Sequence, residues 1–426
     1  MTSKIIRLYQ KCPCSQWSIG VSKTAMIAKS PLPILTGPSI QHEAGYVAQL
    51  RLFPCETSPA FEAAWRDLER RSLLRNPFLS PSFLFPQYES WKSSPSTQLL
   101  TIIDGQGNWL LAGLFERVAG TRQLPLPHLR AVRTEHSFIT GMLVDATERE
   151  AVVETLWKFL RQQHLHGLWF PLFPMQSDLA GLLTERCQRD RTTVALDNLH
   201  ARATVSPTDG SAMSPKRVKS LRRGRRALEK FGDVSLRFTG CPDGDLSAVE
   251  RFLFLEALGW KGEAQSALAC RESEVEAFKN IALGLATRDR IRFAELALDD
   301  RVIASMCLFR SESDYYAFKI GWDPQFERGC PGFLLAAEIQ DHLAQLPRCE
   351  RIDSCARPGS FLDHVWPGRK EIGSALFTTT RWGSAAAQGT RWVRDWYRQL
   401  RGQKTSSDVA SEAALEESRE SAEEPT

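Results

Sequence analysis

Between Ile291 and Gly321 the chain passes through three apolar stretches of strand length, Ile291–Leu298, Val302–Phe309 and Tyr315–Gly321. The first two are separated by little more than Asp299-Asp300, so they form a hairpin within an antiparallel meander. A glycine-containing loop follows, then an apolar helical segment from Phe333 to Leu346. Two more apolar strands, Arg351–Cys355 and Ala375–Thr380, complete the region. Few folds accept that order. It predicts a mixed, mostly antiparallel sheet flanked by helices, an α/β (α+β) unit.

The unit begins sharply. Ser214 is placed to cap a helix and Pro215 suits its first turn. Val218, Leu221, Leu228 and Phe231 make its apolar stripe, and Gly232 stops it. Helical spacing recurs at 245–258 and 272–287, with a strand at 234–238. Upstream, residues 46–205 alternate helical and strand patterns in the same way. Apolar strands at 99–103 and 109–115 flank Asp104-Gly105-Gln106-Gly107-Asn108, a hairpin signal. The reading is a lead-in at 1–45, a first unit at 46–205, a linker at 206–213 and a second unit at 214–380. A basic aromatic helix (381–404) and an acidic tail (405–426) follow. The tail is too poor in apolar residues to fold.

A net charge of +4 conceals two opposed fields. From Lys216 to Lys230 the basic residues are opposed only by Glu229, whereas from Thr405 onward the acids are opposed only by Arg419. The basic run is short and lacks interleaved aromatics, so it reads as a solvated face bordering a cleft for an anionic ligand rather than as a nucleic-acid motif. In the C-terminal helix, Trp392, Trp396 and Tyr397 among arginines suit docking on the second unit or contact with a membrane surface. The ten cysteines form no CxxC pair and no zinc-spaced cluster. No stretch approaches the ~18 apolar residues of a membrane span. The chain is expected to be soluble and cytoplasmic, without a metal.

Three places can carry chemistry. The loop from Gly321 to Phe333 delivers a strand to a helix N-terminus, where Gly329 and Gly332 permit close approach of an anion. Leu255 to Gly262 brings Glu256, Trp260 and Lys261 together at the end of a helix, with Glu256 a possible general base. Asp353 ends an apolar strand, where reactive groups of open sheets gather. Cys355 and His364 lack an orienting third group, and Cys355 reads as a packed thiol.

These features in sequence have a precedent. Ser214 to Thr380 resembles the acetyltransferase domain of the GNAT superfamily, in the group of CelD-type proteins linked to bacterial cellulose biosynthesis. The resemblance rests on the Arg-rich opening helix, Glu256 with Gly259-Trp260-Lys261-Gly262, and Ala294-Glu295-Leu296. It rests also on Phe318-Lys319-Ile320-Gly321-Trp322-Asp323, Pro331-Gly332 and Asp353-Ser354-Cys355-Ala356. Residues 46–205 resemble the degenerate first half of a two-GNAT arrangement, as in Fem-type peptidyl transferases.

The resemblance implies acetyl-CoA or another acyl-CoA as donor. The strand segment Lys319, Ile320, Gly321 and the loop residues Arg328, Gly329, Gly332 and Phe333 would hold it. Trp260 and Lys261 would meet the acceptor, a small molecule or glycan precursor of exopolysaccharide or cell-envelope synthesis. Glu256, Glu295 and Asp353 are the candidate bases. One departure is visible: the family's loop pattern has Gln or Arg where Glu327 stands, and Pro331 supplies no N–H. That keeps two alternatives open, an aminoacyl transferase fed by charged tRNA and a non-catalytic part of a polysaccharide complex.

Overall fold

The computed structural model describes residues 39–41, 45–53, 58–91, 96–211, 213–258, 265–394 and 396, within one compact unit, Gly37–Thr426. The lead-in before residue 39, the pair Trp260 and Lys261, Tyr397 and the acidic tail lie outside the described residues.

The first part of the chain supplies β1 (Ser39–Gln41), β2 (Val47–Leu52), α1 (Pro59–Arg71), α2 (Pro81–Trp91), β3 (Thr97–Ile103), β4 (Trp109–Val118), β5 (His128–Ala131), β6 (Leu143–Val144), α3 (Arg149–Gln162), β7 (Gly167–Pro174), α4 (Asp178–Arg189) and β8 (Val194–Val205). Local chemistry explains several boundaries. Ser58 accepts the Phe61 N–H to cap α1, whose Phe61, Trp65 and Leu68 face inward at helical spacing. Asp104 accepts the N–H groups of Gln106 and Asn108 at 2.8 Å and closes the β3–β4 turn as its sequence predicts.

The second part supplies α5 (Pro215–Leu228), β9 (Val234–Thr239), α6 (Ser247–Leu258), α7 (Glu272–Ala286), β10 (Ile291–Leu298), β11 (Arg301–Ser311), β12 (Asp314–Trp322), α8 (Pro331–Asp341), β13 (Arg351–Asp353), β14 (Gly368–Thr378) and a helix α9 at 381–394. Ser214 caps α5 by accepting the Arg217 N–H.

Among the described residues the strands join in one 14-stranded sheet, in the order β1-β2-β3-β4-β5-β7-β14-β8-β13-β12-β11-β10-β9, with β6 on β4. The pairs β5–β7 and β12–β13 are parallel, and the others are antiparallel. Each parallel pair is bridged by a helix, α3 in the first case and α8 in the second, as a parallel connection demands. At the centre the two parts exchange strands. Strand β14 lies between β7 and β8, and β8 reaches across to pair with β13.

An aromatic cluster binds the parts further. Phe78 meets Phe309 at 6.2 Å and Tyr316 at 6.0 Å, and Phe138 meets Phe318 at 5.8 Å. The Tyr316 hydroxyl donates to the Arg75 carbonyl at 2.5 Å. Helix α9 differs from expectation. It seats Ala387 against Leu124 and Leu376, while Trp392 is 68% exposed, because the small alanine face allows the closer approach. No helix among the described residues is long and apolar enough to cross a membrane.

One contact determines how α6 lies on the sheet. A Cβ on Gly321 would stand 2.4 Å from the Glu256 nitrogen, so strand and helix meet backbone to backbone. Gly321→Ala is therefore expected to destabilise the protein by about 1–3 kcal/mol. A urea midpoint equal to that of the unsubstituted chain would contradict this packing.

Candidate active site

Strands β12 and β13 pair only from Asp314 to Tyr316 on one and Arg351 to Asp353 on the other, and then part. The cause lies in Asp353. Its carboxylate accepts the Cys355 N–H at 2.9 Å, turning Cys355 into a left-handed conformation (φ 52°). The Ser354 N–H turns to the Ala203 carbonyl of β8. On the other edge, the β11–β12 ladder passes from Lys319 to Ala317 and skips Phe318, a bulge that sharpens the local twist.

The opening holds a cleft of about 560 Å³. Its floor is Ala317–Ile320 and Trp322 of β12, and one wall is Ser354–Arg357 with Ser360 and Phe361. The facing wall is Glu135, His136 and Phe138, contributed by the first part of the chain.

The three carboxylates expected to act as bases are spent on cohesion. Glu295 is fully buried on β10 and accepts from Arg237 Nε at 3.1 Å and from Arg251 Nε at 2.8 Å. Glu256 is buried too. It accepts the Leu268 N–H at 2.9 Å and pairs with Lys319 Nζ at 3.1 Å. Asp353 lies between Lys370 Nζ at 3.1 Å and Arg202 Nη1 at 3.4 Å. Burial pushes its carboxyl up, but Lys370, Arg202 and the Cys355 N–H outweigh burial and hold it below the usual carboxylate range.

The expected donor-binding residues divide. Lys319 and Ile320 line the cleft, and Gly321 lies next along the strand, where it serves the contact with α6. Gly329 serves helix packing: a Cβ there would stand 2.4 Å from Leu228, and one on Gly224 would stand 2.7 Å from the Gly329 carbonyl oxygen. Arg328 is exposed. Gly332 keeps ordinary room beside Trp322. Phe333 lies under the Arg217 guanidinium, 5.0 Å from ring centroid to carbon, in a separate groove of about 350 Å³. That groove joins Ser214, Lys216, Arg217 and Ser220 of the α5 start to Cys330. The residues thus fit an acyl-CoA. The parted edge of β12 suits an extended amide chain, and the α8 N-terminus with Lys216 and Arg217 suits its phosphates.

His136 carries no motif, and its segment, Thr134 to Gly141, has no periodicity. Only the fold brings it to the cleft. Burial, with Lys319 and Arg271 nearby, pushes its imidazole down to about 3. Among the described residues, no group of three or more His, Cys, Asp or Glu is placed to hold a metal ion.

Residues 215–360 match the acetyltransferase (GNAT) domain family. No curated protein matches the sequence. Among solved structures, FemX is 11% identical, with 76% of this chain and 96% of that chain covered at a TM-score of 0.45. The L-PGS of Bacillus licheniformis is 11% identical, with 74% and 97% covered at 0.41. A GCN5-related N-acetyltransferase from Kribbella flavida is 14% identical, with 77% and 71% covered at 0.28.

The matched segment therefore runs from α5 to Ser360 in the wall of the cleft, whereas Glu135, His136 and Phe138 lie outside it. Asp353 supplies a test of its frame. Because its folded pKa is depressed, its contribution is full above the unfolded carboxylate value near pH 4 and fades as pH falls through the folded value. Asp353→Asn leaves Lys370 and Arg202 buried without their counter-charge. A loss of about 3–5 kcal/mol is expected at pH 7. Urea denaturation at a series of pH values should show that gap narrowing toward acid; a constant gap would contradict the assignment.

Proposed function

We propose that the chain is an acyltransferase that takes an acyl group from acetyl-CoA, or another acyl-CoA, and passes it to an amine or hydroxyl. The observation that carries this reading is the parting of β12 and β13 inside the GNAT domain, opening a cleft with an exposed strand edge for its floor. Acetyl-CoA brings the acyl group as a thioester, activated toward a nucleophile. Lys319, Ile320 and Gly321 hold its amide chain, and Gly332, Phe333 and the neighbouring Lys216 and Arg217 hold its phosphate end. Gly329 and Arg328 have other surroundings and no part in this reading.

The first part of the chain reads as a second, degenerate copy of the same fold. The parallel pair β5–β7 with crossover α3 corresponds to β12–β13 with crossover α8. A glycan precursor of exopolysaccharide or cell-envelope synthesis as acceptor rests on the sequence resemblance alone.

Calorimetric titration with acetyl-CoA tests the reading. Saturable binding is expected, and Ala356→Trp, which fills the cleft wall, should weaken it tenfold or more. No heat with the unsubstituted chain, or equal affinity in the variant, would sink it.

A second reading, aminoacyl-tRNA as donor, draws on α5. Lys216, Lys219, Arg222, Arg223 and Arg226 of that helix are exposed together. If it holds, charged tRNA binds with an affinity that falls steeply as salt rises from 50 to 200 mM, by about 10³–10⁵-fold for six to ten phosphate contacts. Salt-indifferent binding removes it.

A further inference from the structure

We propose that His136 and Glu274 form the proton-accepting pair of the cleft, so that the part of the chain outside the GNAT domain completes the site. The proposal rests on the acyl-transfer reading and names a base for it.

The geometry is specific. His136 is 4% exposed and Glu274, in the first turn of α7, is 5% exposed. Their facing atoms, Nε2 and Oε2, stand 3.7 Å apart. That nitrogen is buried with no hydrogen-bond partner, which is rare for a buried polar atom, and its residue lines the cleft. The Phe318 ring, the bulge residue of β12, meets the imidazole edge to face at 6.0 Å.

Charge around the ring sets its resting state. Lys319 of β12 and Arg271 before α7 are the cations near it, and they keep the resting imidazole neutral along with burial. Arg271 Nη1 also pairs with Glu274 at 2.9 Å. Glu135 on the same segment, Glu274 and Glu256 on α6 are the carboxylates of the cluster. Glu256 is the cluster's other buried carboxylate, but Lys319 and the Leu268 N–H occupy it.

The step balances as follows. The acceptor's lone pair forms the new C–N or C–O bond, and its N–H or O–H proton passes to the His136 imidazole. The thioester C–S bond breaks, its electron pair leaving on sulfur, and the thiolate takes a proton from solvent. Glu274 balances the imidazolium until it returns its proton to solvent.

The test uses the full chain labelled with ¹⁵N-histidine, with His136→Gln and Glu274→Gln. The His136 signal, identified by its loss in His136→Gln, should be neutral at pH 7 and should move when acetyl-CoA is added. Acetyl-CoA affinity should stay within about threefold in both variants. Thiol release with water as acceptor should fall about 10²–10⁴-fold in His136→Gln, and about tenfold in Glu274→Gln. An imidazolium at pH 7, a signal unmoved by bound acetyl-CoA, or undiminished thiol release in His136→Gln would overturn the proposal. Absence of acetyl-CoA binding to the unsubstituted chain is a different result, since it removes the acyl-CoA reading beneath it.

Discussion

Asp353, Arg202 and Lys370 meet where the two parts of the chain exchange strands, one residue from each of β13, β8 and β14. All three are largely shielded from water. A buried ion cluster of this kind contributes little net stability, because desolvation offsets attraction. Its force lies in what it forbids. A slip of β8 or β14 by one residue would turn Arg202 or Lys370 to the opposite face and strand a charge. The cluster therefore locks the register of the strands that weld the sheet. The same carboxylate accepts the Cys355 N–H, so the residue that fixes the exchange also ends β13 and opens the cleft.

This explains why the carboxylates most suggestive in the sequence are engaged in the packing. An acid buried in an α/β core must be paired. Glu295 holds Arg237 and Arg251, Glu256 holds Lys319 and a backbone N–H, and Asp353 holds the exchange. His136, which lines the cleft, is instead kept uncharged at rest by burial, with Lys319 and Arg271 nearby.

Local elements were legible from the residues because their causes are local. The Asp104 turn, the Ser214 cap and the three apolar strands after Ile291 each depend on a few neighbours. Strand β8 was not legible. Its first eight residues are largely unburied, so its sequence lacks the alternation of a half-buried strand, and it is held by partners some 150 residues away. The glycines misled for the same reason. Gly329 stands in a loop that resembles an anion cradle, yet its space is taken by Leu228 from a helix a hundred residues earlier. Nor could spacing reveal His136, whose partners Glu274 and Phe318 come from α7 and β12.

The packing of α6 bears on where specificity can reside. Its backbone rests directly on Gly321, and Glu256 ties it both to Lys319 and to Leu268, so the floor of the cleft is braced from beneath. A braced floor suits the donor, whose amide chain is the same whatever acyl group it carries. The walls are built differently. Residues 135–138 and 354–361 are largely irregular segments, free to vary in length and chemistry without disturbing the sheet. One wall belongs to the GNAT domain and the other does not. Under the acyl-transfer reading proposed above, an acceptor in the cleft would meet both parts of the chain, and the strand exchange, by fixing the register of the sheet, holds the two parts that carry those walls together.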